Sequence, residues 1–421
     1  MKEADYLRAL YRERRYDIAI LMLAAMFPIH RSFTSVVLMV AFGLVAGKSY
    51  YDSAWRRKQI SPTAWAYFLI TSGFGLFAVV SLLYSSDVKT GIDFLVANSY
   101  LLIYPLLILL FARDLSERDV DIIVFAFIFA CLCLSVYLHV KFYQAGLFTE
   151  IRQVNYSIFP FREMLLRNRY HPTYVSMWFL FSALFIVQYL FRHKLRLLAI
   201  VGLICCAVFF VTTSVLMSVK VTTIGFMLAL LVLIYVVVSN KILVLGSYLV
   251  VFAMFALSIS QVSFLRARFV DEFKDTKLLA PVGVATNSLN IRVGIYQCSW
   301  RVFQDNWLVG TGIGDAQHAL NACYDSFDTN VYRESTYNSH NNYLGVAVST
   351  GIVGLTLFLV MLIFHLARSI TNNNVVFLIF LVFVMVCLLG ENILSRHHGV
   401  VFYSLFCSLF SRQNLQQEKV R

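Results

Sequence analysis

Uncharged apolar stretches of about the length that crosses a lipid bilayer recur from one end of this chain to the other. Inside a bilayer no water is available to backbone N–H and C=O groups, so each long run must close its own hydrogen bonds, and a helix does that. About twelve runs fit: 16–30, 33–47, 64–84, 93–112, 119–140, 172–191, 197–214, 216–238, 242–260, 343–366, 374–390 and 400–411. The first two and the last are short, which leaves tilt, re-entrance or a merged first hairpin open. Composition agrees: 59% hydrophobic and 14% charged over 421 residues lies outside the range of a water-soluble domain. No cleavable signal peptide is expected, because Arg12, Arg14 and Arg15 precede the first run and no small-residue cleavage site follows it. The chain reads as an all-α polytopic membrane protein with about twelve transmembrane helices, residues 1–421 forming one membrane domain.

Basic residues give that bundle a direction. With an even number of spans both termini share a side, and that side collects Lys2, Arg8, Arg12, Arg14, Arg15, Lys48, Arg56, Arg57, Lys58, Arg192, Lys194, Arg196, Arg412, Lys419 and Arg421. Short loops on the other side hold Arg31, Lys89 and Arg396. Lys and Arg accumulate in cytoplasmic loops, so both termini are predicted inside. The two long loops, about 141–171 and 261–342, then lie outside, as a smaller and a large periplasmic loop. The formal charge of +12 is mostly this topology. No basic stripe interleaved with aromatics occurs, and no nucleic-acid partner is expected.

Polar residues converge on the predicted outer face. The first long loop ends Arg162…Arg167-Asn168-Arg169-Tyr170-His171-Pro172-Thr173-Tyr174 and runs straight into a span. Lys220 is read as about one turn inside the outer end of its helix, at a depth where a lone lysine needs an anion or must snorkel. The second loop supplies Arg292, Trp300, Trp307, Gly310-Thr311-Gly312-Ile313-Gly314 and Asp315, and ends Asn338-Ser339-His340-Asn341-Asn342. The last outer hairpin adds Glu391-Asn392 and Arg396-His397-His398. Each residue alone is an ordinary loop or interfacial residue; their joint placement argues for a site. Clustered Arg and Lys at headgroup level suit a phosphorylated lipid, because guanidinium grips phosphate oxygens with paired charge-assisted bonds. A histidine among amides suits deprotonation of a hydroxyl. Together they suggest group transfer from an activated lipid diphosphate to an alcohol.

The run His340-Asn341-Asn342-Tyr343-Leu344 followed by Gly351-Ile352-Val353-Gly354 resembles the signature of the bacterial O-antigen ligase and polymerase superfamily. Arg292, Trp300, Trp307 and Gly310-Thr311-Gly312-Ile313-Gly314 are similar to that group's large periplasmic loop, and His171–Tyr174 and Glu391-Asn392 with Arg396 to further positions. The resemblance covers roughly residues 170–400. It implies a C-type glycosyltransferase-like bundle in the bacterial inner membrane, with a helical periplasmic loop and an undecaprenyl-diphosphate-linked glycan donor. It implies inversion at the anomeric centre without metal or other cofactor and, in ligases, transfer to lipid A–core. The family's essential histidine falls on His340 and its loop arginine on Arg292; where the family usually has a second arginine, this chain has Lys220. These three are the expected catalytic residues, with His340 as general base. Arg167, Arg169, His171, Tyr174, Asn338, Asn341, Glu391 and Arg396 are the expected substrate contacts. Should His340 only orient, Glu391 or Asp315 is the next base. A polymerase joining lipid-linked repeat units remains open, and a lipid-linked sugar transporter trails because mid-span positions are nearly free of charge.

Other motifs carry less. Gly310–Gly314 has no preceding strand and reads as a turn rather than a dinucleotide loop. His397-His398 and Asp325 with Asp328 lack the partners a metal site needs. Cys131, Cys133, Cys205, Cys206, Cys387 and Cys407 lie in spans, whereas Cys298 and Cys323 share the long loop, where a disulfide could persist. A helix is predicted from a capping Ser288 to about Asp305, with Arg292, Tyr296 and Ser299 on one face.

Overall fold

The computed structural model describes residues 16–29, 61–111, 115–146, 160–168, 170–274, 278–283 and 287–420. The apolar run at 33–47, most of the N-terminal basic residues and Arg169 lie outside them.

Among the described residues the architecture is helical, without strands. In chain order the principal helices are α1 (Tyr16–Ala25), α2 (Pro62–Ser81), α3 (Val88–Asn98), α4 (Tyr100–Pro105), α5 (Glu117–Gln144), α6 (Pro160–Arg167), α7 (Pro172–Arg192) and α8 (Leu197–Met217). They continue with α9 (Lys220–Val237), α10 (Lys241–Gln261), α11 (Ser288–Asp305), α12 (Ala316–Tyr324), α13 (Asn342–Thr371), α14 (Val375–Cys387) and α15 (His397–Val420). Seven are long and apolar enough to cross a bilayer, and eight spans result if the α3–α4 pair, bent by 40°, counts as one. The bend falls inside the expected run at 93–112. Asn98 and Ser99 turn the chain, and Pro105, which cannot donate to the ladder, precedes a π-helical turn over Leu106–Phe111.

Burial separates core from lipid-facing helices. In α7 78% of the apolar window is buried, and in α10 only 6%, so Leu245, Leu249, Phe252 and Leu257 of α10 face the bilayer. The core helix the sequence understated is α15. A short run at 400–411 was expected; the helix has 24 residues and is buried along nearly all of its length. Several of its polar residues find partners on neighbouring helices, which helps a partly polar helix survive there. Arg412 donates to the Leu109 carbonyl at 2.8 Å, and Ser411 lies 3.1 Å from Nδ1 of His365, whose Nε2 lies 3.0 Å from Thr71 Oγ1.

Helix α13 is not continuous. Gly351 has φ 62° and ψ −162°, a conformation only glycine adopts readily, and it breaks the ladder. The orphaned backbone groups are taken up by the segment expected to be a simple turn. Thr311 and Gly312 donate to the carbonyls of Val348 and Ser349 at 3.0 and 2.9 Å, while Ile352 and Val353 donate to those of Trp307 and Leu308 at 2.8 and 3.3 Å. A Cβ at Gly310 would collide with the backbone at Ser349–Gly351, and one at Gly351 with the Leu308 carbonyl. The two glycine motifs are therefore the two sides of one backbone seam. On its other side this segment is tied to the α2–α3 connection, where Asp315 accepts from the backbone amides of Ser86 and Asp87 at 2.6 and 2.9 Å.

The long loop folds over the start of α13. Its N-cap is Asn287, one residue before the expected Ser288, in a reciprocal capping box with Asn290. A small core of Ile295, Cys298, Val302, Leu320, Tyr324 and Tyr332 seals against Val348 of α13. Cys298 and Cys323 are disulfide-bonded, joining α11 to α12. Ser299 belongs to this interior: it is fully buried and donates to the Ile295 carbonyl at 2.8 Å, so it does not join Arg292 and Tyr296 as a presented face.

Candidate active site

Helices α7, α9, α13 and α15 all begin at one end of the bundle, and the polar groups gather there. At its centre the imidazole Nδ1 of His340 lies 3.4 Å from Oε1 of Glu391; their side chains are 25% and 8% exposed. His340 has a left-handed backbone, φ 41°, which is unusual for a residue with a side chain. The surroundings over-determine it. Asn338 Oδ1 accepts from the His340 amide at 3.0 Å, and the buried Asn392 Oδ1 accepts from the Asn341 amide at 2.8 Å and bonds the Ser339 hydroxyl. Asn341 caps α13 through the Leu344 amide at 3.2 Å, and Asn342 Oδ1 accepts from Leu394 at 2.8 Å. The carboxamides beside the histidine thus stitch the 388–394 hairpin to the start of α13.

Around this pair stand His171 at the N-cap of α7, Tyr174, Arg292 on α11 and Arg396. Burial pushes the Glu391 carboxyl up, but the His340 imidazole beside it and the charges of His171 and Arg292 outweigh that and hold it below its ordinary range. Burial lowers His171; the Glu391 charge opposes this, while Arg396, Arg162 and His340 reinforce it. Burial raises the Tyr296 phenol, in a field set by Arg292 and Glu391. His171, Arg292, His340, Glu391 and Arg396 therefore feel one another's charge.

Lys220 departs from the expectation. It is the first residue of α9, directly after a left-handed turn at Ser218, rather than a turn inside a span. It is not lone either: its ammonium lies 2.8 Å from Glu272 and 4.8 Å from the Phe273 ring centroid. Glu272 also accepts from Ser288, one helical turn before Arg292 on α11. A chain of two contacts thus links Lys220 to the arginine-bearing helix. Arg167 is 82% exposed and pairs with Glu163 on its own helix, at 3.5 Å. Sequence reasoning missed Glu272, read Ser288 only as a helix cap, and quoted Ser339, Asn392 and Arg162 without seeing the part each plays. Among the described residues, no group of three or more His, Cys, Asp or Glu side chains is placed to hold a metal ion.

Residues 215–359 match the family model of the O-antigen ligases. The chain carries an O-antigen ligase domain. The match, over about a third of the chain, supports the O-antigen ligase superfamily and a transferase acting on lipid-linked glycans in a membrane. No curated protein matches the chain. The O-antigen ligase domain contains Lys220, Arg292, the seam glycines and His340, whereas His171, Glu391, Asn392 and Arg396 lie outside the matched residues.

Proposed function

We propose that this protein is an O-antigen ligase that moves a glycan from undecaprenyl diphosphate to a hydroxyl of lipid A–core at the periplasmic face of the inner membrane. The observation that carries the reading is the His340–Glu391 pair with Arg292 acting on the same carboxylate. Nδ1 of His340 faces Glu391, which leaves Nε2 for the acceptor. As the acceptor oxygen attacks the anomeric carbon, its proton passes to Nε2, the bond from that carbon to the diphosphate oxygen breaks, and undecaprenyl diphosphate leaves as an anion. Attack opposite the leaving group inverts the centre. Glu391 stabilises the imidazolium that forms, and Arg292 lies beside the departing charge. Lys220 serves the diphosphate once that anion competes with Glu272, with Arg396 and His171 at the edge of the same mouth. The disulfide between Cys298 and Cys323 supports an oxidising compartment for the loop, as does the distribution of basic residues.

The test is electrophoresis of lipopolysaccharide from a strain lacking the protein, complemented with wild type or His340→Ala. A ligase gives core without O-chain while lipid-linked polymer accumulates, restored only by wild type. Single repeats capping the core would instead identify a polymerase, and unchanged lipopolysaccharide would defeat both readings.

A further inference from the structure

At the opposite end of the bundle, where α7, α9, α13 and α15 finish, a cavity of about 260 Å³ opens between helix ends. It lies the length of a 21-residue helix, about 30 Å, from His171 and belongs to no part of the mouth described above. Its polar lining is Glu117, Gln188, Arg192, Asn374, Gln413 and Gln417. Asn374 and Gln413 bond each other at 3.4 Å. Two acceptors remain without partners: Oε1 of Gln188, whose residue is 6% exposed, and Oε1 of Gln417. A buried amide oxygen without a donor is costly, so its retention in a formed cavity points to a ligand that supplies N–H or O–H groups.

Charge narrows the ligand. Arg192 pairs with Asp121 and, more loosely at 3.9 Å, with Glu117, whose side chain is 68% exposed. Asp121 is shared between Arg192 and His193, so the cavity lining presents one charge of each sign, Glu117 and Arg192, which suits a zwitterion. Vacant acceptors beside a spare carboxylate suit a primary ammonium, a group with three donors and no acceptor. Arg192 Nη1, held only by that long contact, has room for a phosphate oxygen. Phe191 and Val376 are apolar members of the lining.

We propose that this cavity binds the phosphoethanolamine headgroup of a membrane phospholipid, with the ammonium on Gln188, Gln417 and Glu117 and the phosphate on Arg192. The site is independent of the transfer chemistry and holds whether or not the proposed function does.

The test is native mass spectrometry of the full-length protein released from micelles doped with phosphatidylethanolamine, phosphatidylglycerol or phosphatidylcholine. Phosphatidylethanolamine is expected to be retained about tenfold over the other two, as a charge-assisted bond warrants. Gln188→Leu with Gln417→Leu should abolish that preference while thermal stability and lipopolysaccharide ligation stay at wild-type level. Soluble phosphoethanolamine in excess should fail to displace the lipid. Equal retention of the three lipids, a preference untouched by the double variant, displacement by the soluble headgroup, or loss of folding in the variant without any preference in the wild type would each overturn the proposal.

Discussion

His340 with Glu391 and Lys220 with Glu272 are two partly buried cation–carboxylate pairs at one end of the bundle, built by opposite means. The first is fixed by backbone: a left-handed histidine, an asparagine on either side bonded to main chain, and Asn392 bonded to both Ser339 and Asn341. The second is held by side chains alone, Lys220 at the tip of a helix hairpin and Glu272 shared with Ser288. A backbone-fixed group suits a step that needs fixed geometry. A side-chain pair suits a cation that exchanges its partner when an anionic substrate arrives. The largest effect should come from breaking the first at its centre. His340→Ala should cut transfer by about 10²–10⁴-fold, the worth of a positioned general base, with the protein still inserted in the membrane. Near wild-type transfer by that variant in membranes would remove the distinction between the two pairs.

Next comes the scaffold of the same pair. Asn392→Ala removes the acceptor of the Asn341 amide and the partner of the fully buried Ser339. The unpaired groups should lower stability by about 2 kcal/mol or more, and activity should fall further than the loss of folded protein explains. Asn392→Asp keeps the acceptor and should recover part of both. Transfer rate per folded molecule, with folded protein measured by thermal unfolding in detergent, reads this directly. If Asn392→Ala loses activity only in proportion to folded protein, Asn392 is a scaffold residue that does not position His340.

What the sequence made legible follows the same division. His340 and Glu391 stand at the edges of apolar runs, where polar residues are conspicuous, and Arg292 shares the long loop with the disulfide partners. The Gly310–Gly314 and Gly351–Gly354 motifs were visible too, but a pattern read along the chain could not reveal that one fills the gap the other makes, about 40 residues away. Asn392 was noted as part of a motif; its reach to Ser339 over 53 residues was not readable. Glu272 sits in a loop of mixed charge without periodicity, so nothing marked it as Lys220's partner. The length of α15 was underestimated because its last turns carry amides and charges, some of which find partners only on neighbouring helices.

The second pair gives smaller effects of opposite sign. Lys220→Met should raise the donor KM about tenfold, the order of one charge-assisted phosphate contact, and leave kcat within a few-fold. Glu272→Gln frees the ammonium and should leave KM unchanged or lower. Stability should shift by no more than about 1 kcal/mol in either case, as the pair is not fully removed from solvent. Equal KM for Lys220→Met and wild type would make the pair a staple between α9 and the loop.

The smallest effect separates the two pairs by pH. His171 and Glu391 are both depressed in the folded protein, below 6.5 and 4.5 respectively. A depressed value means that the unfolded chain binds the proton more readily, so stability rises with pH through that range. The contribution is complete above about 6.5 and is lost on acidification, first through His171 and, below about 4.5, through Glu391. Thermal unfolding in detergent should show a midpoint that is flat from pH 8 to about 7 and falls by about 1–2 °C between pH 6.5 and 5. His171→Asn should flatten that first decline and leave the later one, and Lys220→Met should alter neither. A midpoint that rises on acidification, or an undiminished first decline in His171→Asn, would mean that the charges around Glu391 do not act on His171 as a group.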